Sequence, residues 1–264
     1  MNVFIQELKQ NRNSTIVWII ALIAIAALYI SIFPSISQNA AATDIYKNFP
    51  EAFKKTFGIT ENSLSVFSGL YALVLNLVLL TGAVQAMNLG TGVTSREVRE
   101  RTVDFLLTRP ISRASVLRQK LLTVFLLILV TDLVFMAADW GLIQAWIDDP
   151  FQFRTFFIST SSLFLVQLFF VSFGFLLGSV LPRIKSVIAV SLPAGFGFYI
   201  VGMFDTLCGE EKIKYMTPFK FFNVNMLTAG GGYELRMLIY LAVLSVGALF
   251  TSFVVFQKKD IHTI

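Results

Sequence analysis

Histidine and cysteine are almost missing from this chain: its 264 residues hold one of each, His262 and Cys208. A single cysteine excludes an internal disulfide and a cysteine metal cluster, and a lone loop thiol is inert in most proteins. A single histidine close to the end excludes a histidine-based triad and a histidine metal site. No GxxxxGK[ST] stretch occurs, so there is no loop to cradle phosphates and magnesium. The run at 90–93, GTGV, has no following lysine and no preceding strand. No two acids stand at a spacing suited to general acid–base work. These absences argue against an enzyme.

Charge is scarce as well. Only 14% of residues are charged, 56% are hydrophobic and the mean hydropathy is +0.73, whereas soluble domains carry roughly 25% charged residues. The composition predicts an all-α membrane protein. Crossing ~30 Å of hydrocarbon takes about 20 apolar residues, and six such runs occur, at about 15–33, 64–88, 119–140, 156–181, 187–206 and 236–256. They leave no room for a separate soluble domain, so residues 1–264 are expected to form one transmembrane domain. The first run follows the polar stretch QELKQNRN, exceeds a signal h-region in length and lacks a cleavage site, which predicts a retained span. No internal repeat or low-complexity segment is present, so an inverted-repeat secondary transporter gains no support.

Of the 21 Lys and Arg, 13 fall in one set of connections: Lys9, Arg12, Arg96, Arg99, Arg101, Arg109, Arg113, Arg118, Lys120, Arg183, Lys185, Lys258 and Lys259. The positive-inside tendency then places both termini in the cytoplasm. The net charge of +5 follows from that bias and does not argue for nucleic acid.

Between the spans, residues 1–13 set Val3, Phe4, Ile5 and Leu8 on one side of a helix. This predicts an amphipathic element lying in the inner interface. In the outward loop 34–63, Phe49, Phe53 and Phe57 recur every fourth residue, as in a short helix resting on the outer leaflet or packed on the spans. Trp140 and Trp146 flank the connection 141–155 as interfacial anchors. Pro182 stops the fourth span. In loop 207–235, Pro218 and Gly230, Gly231 and Gly232 break helical continuity, so short helices or re-entrant pieces are expected.

Polar residues inside spans are costly and therefore informative. Asp132 falls near the middle of the third span; the readings are an ion- or proton-conducting group, or an acid hydrogen-bonded to Thr or Asn of a neighbouring span. Asn76, Gln85 and Gln167 are expected to bond between helices, while Asp139 and Asp205 lie near outer ends, where an acid costs less. Gly174 and Gly178 in GFLLG form a small-xxx-small pair that lets helices approach closely. Pro193, Gly195 and Gly197 predict a kinked, tightly packed fifth span. Some of the 27 phenylalanines can line an apolar path, for which Asn76, Phe196 and Phe198 are the candidates.

The sharpest anomaly is the basic island 95–120, SREVRERTVDFLLTRPISRASVLRQK, which holds seven of the 21 basic residues. Ser95 is a candidate cap of a first helix with Glu97 and Glu100 in its early turns. Pro110 ends it, and Ser112 can cap a second helix running from Arg113 through Lys120 into the third span. Val103, Phe105, Leu106 and Leu107 need burial, which suits a docking partner; anchoring to anionic headgroups is the other reading.

Glu97, Thr102, Leu106, Leu107, Pro110, Ser112, Arg113 and Lys120 follow the pattern E-x4-T-x3-LL-x2-P-x-SR-x6-K. This resembles the first cytoplasmic loop of type-2 ATP-binding-cassette permeases. The likeness extends to six spans, the N-terminal amphipathic helix and the PFKFF segment from Pro218 to Phe222. Arg101 stands where that family usually carries glycine. The resemblance implies a permease of six transmembrane helices, with the hairpin between helices 2 and 3 acting as a coupling helix for an ATPase. Arg96, Glu97, Glu100, Arg101, Thr102, Phe105, Leu106, Leu107, Pro110, Ser112, Arg113 and Lys120 would make that contact. It further implies two cytoplasmic ATPase subunits carrying ATP and Mg, with no cofactor on this chain. A second permease copy, identical or paralogous, would complete the transporter within the lipids of a prokaryotic plasma membrane. Facing second and fifth spans would enclose an apolar channel, exporting peptide toxins, antimicrobial peptides or drugs; the alternatives are an ion channel using Asp132 and a non-transporting membrane scaffold or immunity protein.

Overall fold

Between residues 3 and 33 the chain has neither proline nor glycine, so nothing interrupts a helix there. In a computed structural model, which describes residues 3–37, 48, 50, 54, 66–100, 113–148, 151–181, 184–208, 213–222 and 224–258, α1 accordingly runs unbroken from Val3 to Ser37. At 1.5 Å per residue that is about 52 Å. Residues 3–13 are therefore continuous with the first span and not a separate interface helix, which corrects the expectation for 1–13 from composition. The polar face is also turned the other way: Glu7, Asn11 and Thr15, spaced by four, are buried against the protein, while Ile5 is exposed. Asn11 Nδ2 donates to the Glu7 carbonyl at 2.8 Å, and Thr15 Oγ1 to the Asn11 carbonyl at 3.0 Å.

The remaining helices are α2 (Phe67–Glu100), α3 (Arg113–Trp146), α4 (Phe153–Val180), α5 (Ile188–Cys208), the short α6 (Val224–Thr228) and α7 (Leu235–Lys258). Five of them (α1, α2, α3, α4 and α7) are long and apolar enough to cross a membrane, and the apolar helix Ile188–Phe204 within α5 is shorter. A second correction concerns Ser95. It is not a cap, because α2 continues through it to Glu100. Its hydroxyl donates to the Thr91 carbonyl at 2.7 Å, and Thr94 does likewise to Gly90 at 2.8 Å, so both hydroxyls are satisfied without leaving the helix. The start of α3 at Arg113 matches the expected second helix. At the far end of α4, Leu181 is extended (φ −66°, ψ 130°), as the steric demand of Pro182 on its predecessor requires.

The bundle is organised on α2 and α4, which pack most closely and bury the largest share of their apolar windows. Their seam is made of small residues. A Cβ placed on Gly174 would lie 2.8 Å from the Met87 carbonyl oxygen, one on Gly90 would lie 2.6 Å from that of Val171, and one on Gly178 would strike Thr94 Oγ1. In lipid, where apolar side chains gain little by leaving the solvent, such close backbone approach supplies much of the helix association. Thr91 Oγ1 adds a bond to the Gly174 carbonyl across the seam at 3.3 Å. Gly195 of α5 meets Val84 similarly, whereas Gly197 faces open space. Helix α1 contributes one apolar stripe, Leu22, Ala26, Ile30 and Phe33. α7 is the least buried long helix, tied to α4 by Ser252, whose hydroxyl meets Ser179 Oγ at 2.8 Å and the Phe175 carbonyl at 3.0 Å.

Loop 207–235 forms short pieces as expected: 3₁₀ turns at Ile213–Met216 and Pro218–Lys220, then α6. Phe219 packs on Phe170 and Tyr199 with ring centroids 5.4 and 5.3 Å apart, so this segment plugs into the bundle. α6 ends in a Schellman motif: Gly231 N–H reaches the Met226 carbonyl and Gly230 N–H that of Leu227, with Gly230 at φ 92°. The aromatic series Phe49, Phe53 and Phe57 lies outside the described residues.

Overpacking the seam should cost ~1–3 kcal/mol. Gly174→Leu is expected to lower the detergent melting temperature by several degrees while Gly197→Ala leaves it unchanged. Equal melting of the two variants would refute the seam.

Candidate functional site

The basic island meets the bundle where α1 begins, α2 ends and α3 begins. Glu7 stands in the second turn of α1, Arg96 in the last two turns of α2 and Lys120 in the second turn of α3. Glu7 joins them. Its Oε2 accepts from Arg96 Nη1, while its Oε1 lies 3.5 Å from Lys120 Nζ. Arg96 Nη1 also donates to Gln10 Oε1 at 2.5 Å, and Nη2 to Asn11 Oδ1 at 2.9 Å. Lys120 Nζ donates to the Val93 carbonyl of α2. The lysine side chain is 0% exposed and that of Glu7 5%. An ammonium so far from water is tolerable only when paired and hydrogen-bonded.

This arrangement changes the reading of two predicted docking residues. Arg96 and Lys120 do not present their charges outward to a partner: both turn inward and bind α1. Arg118, two residues from Lys120, is exposed, its Nε donating back to the Ala114 carbonyl at 3.3 Å. Glu97 and Glu100 fall on the last turn of α2, and Arg113 opens α3. Arg101, Thr102, Phe105, Leu106, Leu107, Pro110 and Ser112 lie outside the described residues. Sequence reasoning missed Glu7. Its signal was present: it is the sole acid of the first 43 residues, and it shares a four-residue spacing with Asn11 and Thr15.

Two further polar layers cross the bundle above this one. In the middle, Gln85 Nε2 of α2 donates to Thr131 Oγ1 of α3 at 3.1 Å, and Gln167 Nε2 of α4 to Gln85 Oε1 at 3.4 Å. Gln85 and Gln167 thus bond between helices as expected. Asn76 does not: its Nδ2 donates to the Ala72 carbonyl of its own helix at 2.9 Å. Asp132, at the level of Thr131, is buried, and among the described residues neither carboxylate oxygen has a hydrogen-bond partner. The expected bond to a Thr or Asn of a neighbouring span is likewise absent among them.

At the far end, Tyr71 Oη donates to Asp139 Oδ2 at 2.6 Å and meets Thr160 Oγ1 at 2.8 Å. Asp139 is 1% exposed, so the expectation of a cheaply solvated outer acid is corrected: a tyrosine, rather than water, holds it. Trp140 is no free-standing anchor either, packing on Phe153 and Phe156 at 5.1 and 4.9 Å, whereas Trp146 is exposed. Of the path candidates, Phe196 is exposed on α5, while Phe198 is enclosed by Phe169, Phe170 and Phe173 at 5.4–5.7 Å.

Residues 7–257 match the family model described as "Multidrug efflux system permease Rv1217c, C-terminal domain". No curated protein matches the chain.

Inward placement of Lys120 has a direct check. With Cys208 replaced, Arg118→Cys is expected to react readily with a charged thiol reagent. Lys120→Cys should react at least ~tenfold more slowly, because a site sampled only through local opening reacts in proportion to its open population. Equal rates would mean that the lysine faces water.

Proposed function

The chain belongs to this multidrug efflux permease family, and on that premise we propose that it is the membrane subunit of an ATP-driven exporter of type-2 ATP-binding-cassette architecture. The family match across residues 7–257 is the observation that carries this reading. In it, α5 is the sixth span, both termini are cytoplasmic, and the molecule sits in a prokaryotic plasma membrane. Two ATPase subunits supply ATP and Mg, and a second copy or a paralogue completes the pathway. The chain itself binds no nucleotide.

Residues 101–112, between the ends of α2 and α3, are the coupling segment in this proposal. Thr102, Phe105, Leu106 and Leu107 enter the ATPase, with Glu97, Glu100 and Arg113 at its margins. Support comes from the continuation of α2 to Glu100 and the start of α3 at Arg113, which deliver the segment at the basic end on two stiff helices. The cargo is a hydrophobic or amphipathic compound, in keeping with the apolar interior and the exposed Phe196 on α5. An ion channel is the competing reading, favoured by one observation, the unpartnered carboxylate of Asp132.

Charging an apolar interface anchor removes the kind of contact whose loss costs 2 kcal/mol or more in binding. Leu106→Asp with Leu107→Asp, or deletion of 101–108, is therefore expected to lower ATPase recruitment by at least ~tenfold and abolish efflux. The amount of permease in the membrane should stay the same. Undiminished ATP-dependent efflux in these variants would remove the coupling assignment, and flux without any nucleotide would favour the channel.

A further inference from the structure

We propose that Glu7 is a positioning residue that ties both roots of the 101–112 segment to α1, so that displacement of that segment moves α1 together with α2 and α3. The transmission half of this proposal rests on the exporter reading; the tie itself does not.

The geometry is specific. Arg96 stands five residues before position 101, and Lys120 eight after position 112. One carboxylate takes them both, Oε2 facing the guanidinium and Oε1 the ammonium. It therefore bridges the two ends of the segment and holds a third helix to them. Charge pairs on a surface are screened and exchange with water. This one is not a surface pair: the Lys120 side chain is 0% and that of Glu7 5% exposed. Separating the partners would leave a charge buried without compensation, so small shifts of α2 and α3 are more easily followed by α1 than resisted.

The rest of α1 makes this contact matter. Its fully buried apolar side chains are Leu22, Ala26, Ile30 and Phe33, which begin 15 residues, about 22 Å, beyond Glu7, while the partly buried Leu8 packs on the core beside Glu7. Nearer the basic end, the polar set Glu7, Gln10 and Asn11 holds the helix to Arg96, and Thr123 Oγ1 reaches the Phe4 carbonyl at 3.4 Å. Because Val3–Ser37 is one helix, a displacement applied at Glu7 travels along the whole span instead of being absorbed at a joint near residue 13.

Two variants separate a transmission role from a brace. Glu7→Gln keeps the shape and removes the charge. Glu7→Gln combined with Lys120→Gln removes the two most buried charges, so no ammonium is stranded, while Arg96 keeps its bonds to Gln10 and Asn11. In membranes containing the cognate ATPase, both are expected to export about tenfold less substrate per ATP hydrolysed. A mere brace would lower protein amount, bound ATPase and export in proportion and leave that ratio unchanged, which overturns the proposal. A second readout needs no ATPase: spin labels on the exposed positions 5 and 118 should give one narrow distance in the otherwise wild-type chain and a broad distribution in both variants. Unaltered widths would show that Glu7 does not tie α1. If the wild-type chain recruits no ATPase but the labels behave as expected, the exporter reading fails and the tie stands.

Discussion

A lysine ammonium buried in a membrane protein needs a compensating anion and hydrogen-bond acceptors. Lys120 has both, Glu7 and Val93, and much of the basic end follows from that demand. Glu7 can reach the ammonium only if the polar stripe of α1 faces the bundle. The stripe can face the bundle only if α1 enters as an upright helix and does not lie along the interface. The same carboxylate then gathers Arg96, so α1, α2 and α3 are held at one point next to the segment where a partner would push.

Higher in the bundle a different constraint operates. Helices in lipid gain little by burying one apolar side chain against another, so backbone proximity and polar contact decide which helix meets which. Glycines 90, 174 and 178 let α2 and α4 come together backbone to backbone. The Gln85–Thr131–Gln167 and Tyr71–Asp139–Thr160 sets add contacts among α2, α3 and α4 at two further levels. α7 has its serine contact to α4, the buried Met237 and Leu241, and Tyr240 packed on Tyr215 and Phe221, and is otherwise largely exposed.

The helical class, the close approach at Gly174 and Gly178, the bonding of Gln85 and Gln167, and the helix beginning at Arg113 were legible in the sequence, because each rests on a local pattern with one structural outcome. Residues 1–13 were not. Amphipathic spacing says that a helix has two faces, but whether the polar face meets water or protein depends on a partner more than 80 residues away, here Arg96 and Lys120. Ser95 misled for a related reason: a serine before two glutamates is a capping pattern, yet inside an uninterrupted helix its hydroxyl has a carbonyl one turn back. Asp132 and Asp139 could be placed along their span but not around it, and rotation about the helix axis decides that one meets a tyrosine while the other meets nothing. Leu106 and Leu107 lie outside the described residues.

The principal seam joins α2 to α4, not to its sequence neighbour α3, and this bears on how the chain is made. Synthesis proceeds from the N-terminus, so the groove beside Gly90 stays open to lipid until α4 has been inserted. Up to that moment Gln85 and Tyr71 lack the Gln167 and Thr160 partners that α4 supplies. With α1, α2 and α3 alone inserted, Glu7, the apolar stripe of α1 and the Gln85–Thr131 and Tyr71–Asp139 bonds join three helices, while the glycine face of α2 stays uncovered. Assembly is thus gated by arrival of the fourth helix, and a quality-control protease would find its opening in the interval before it.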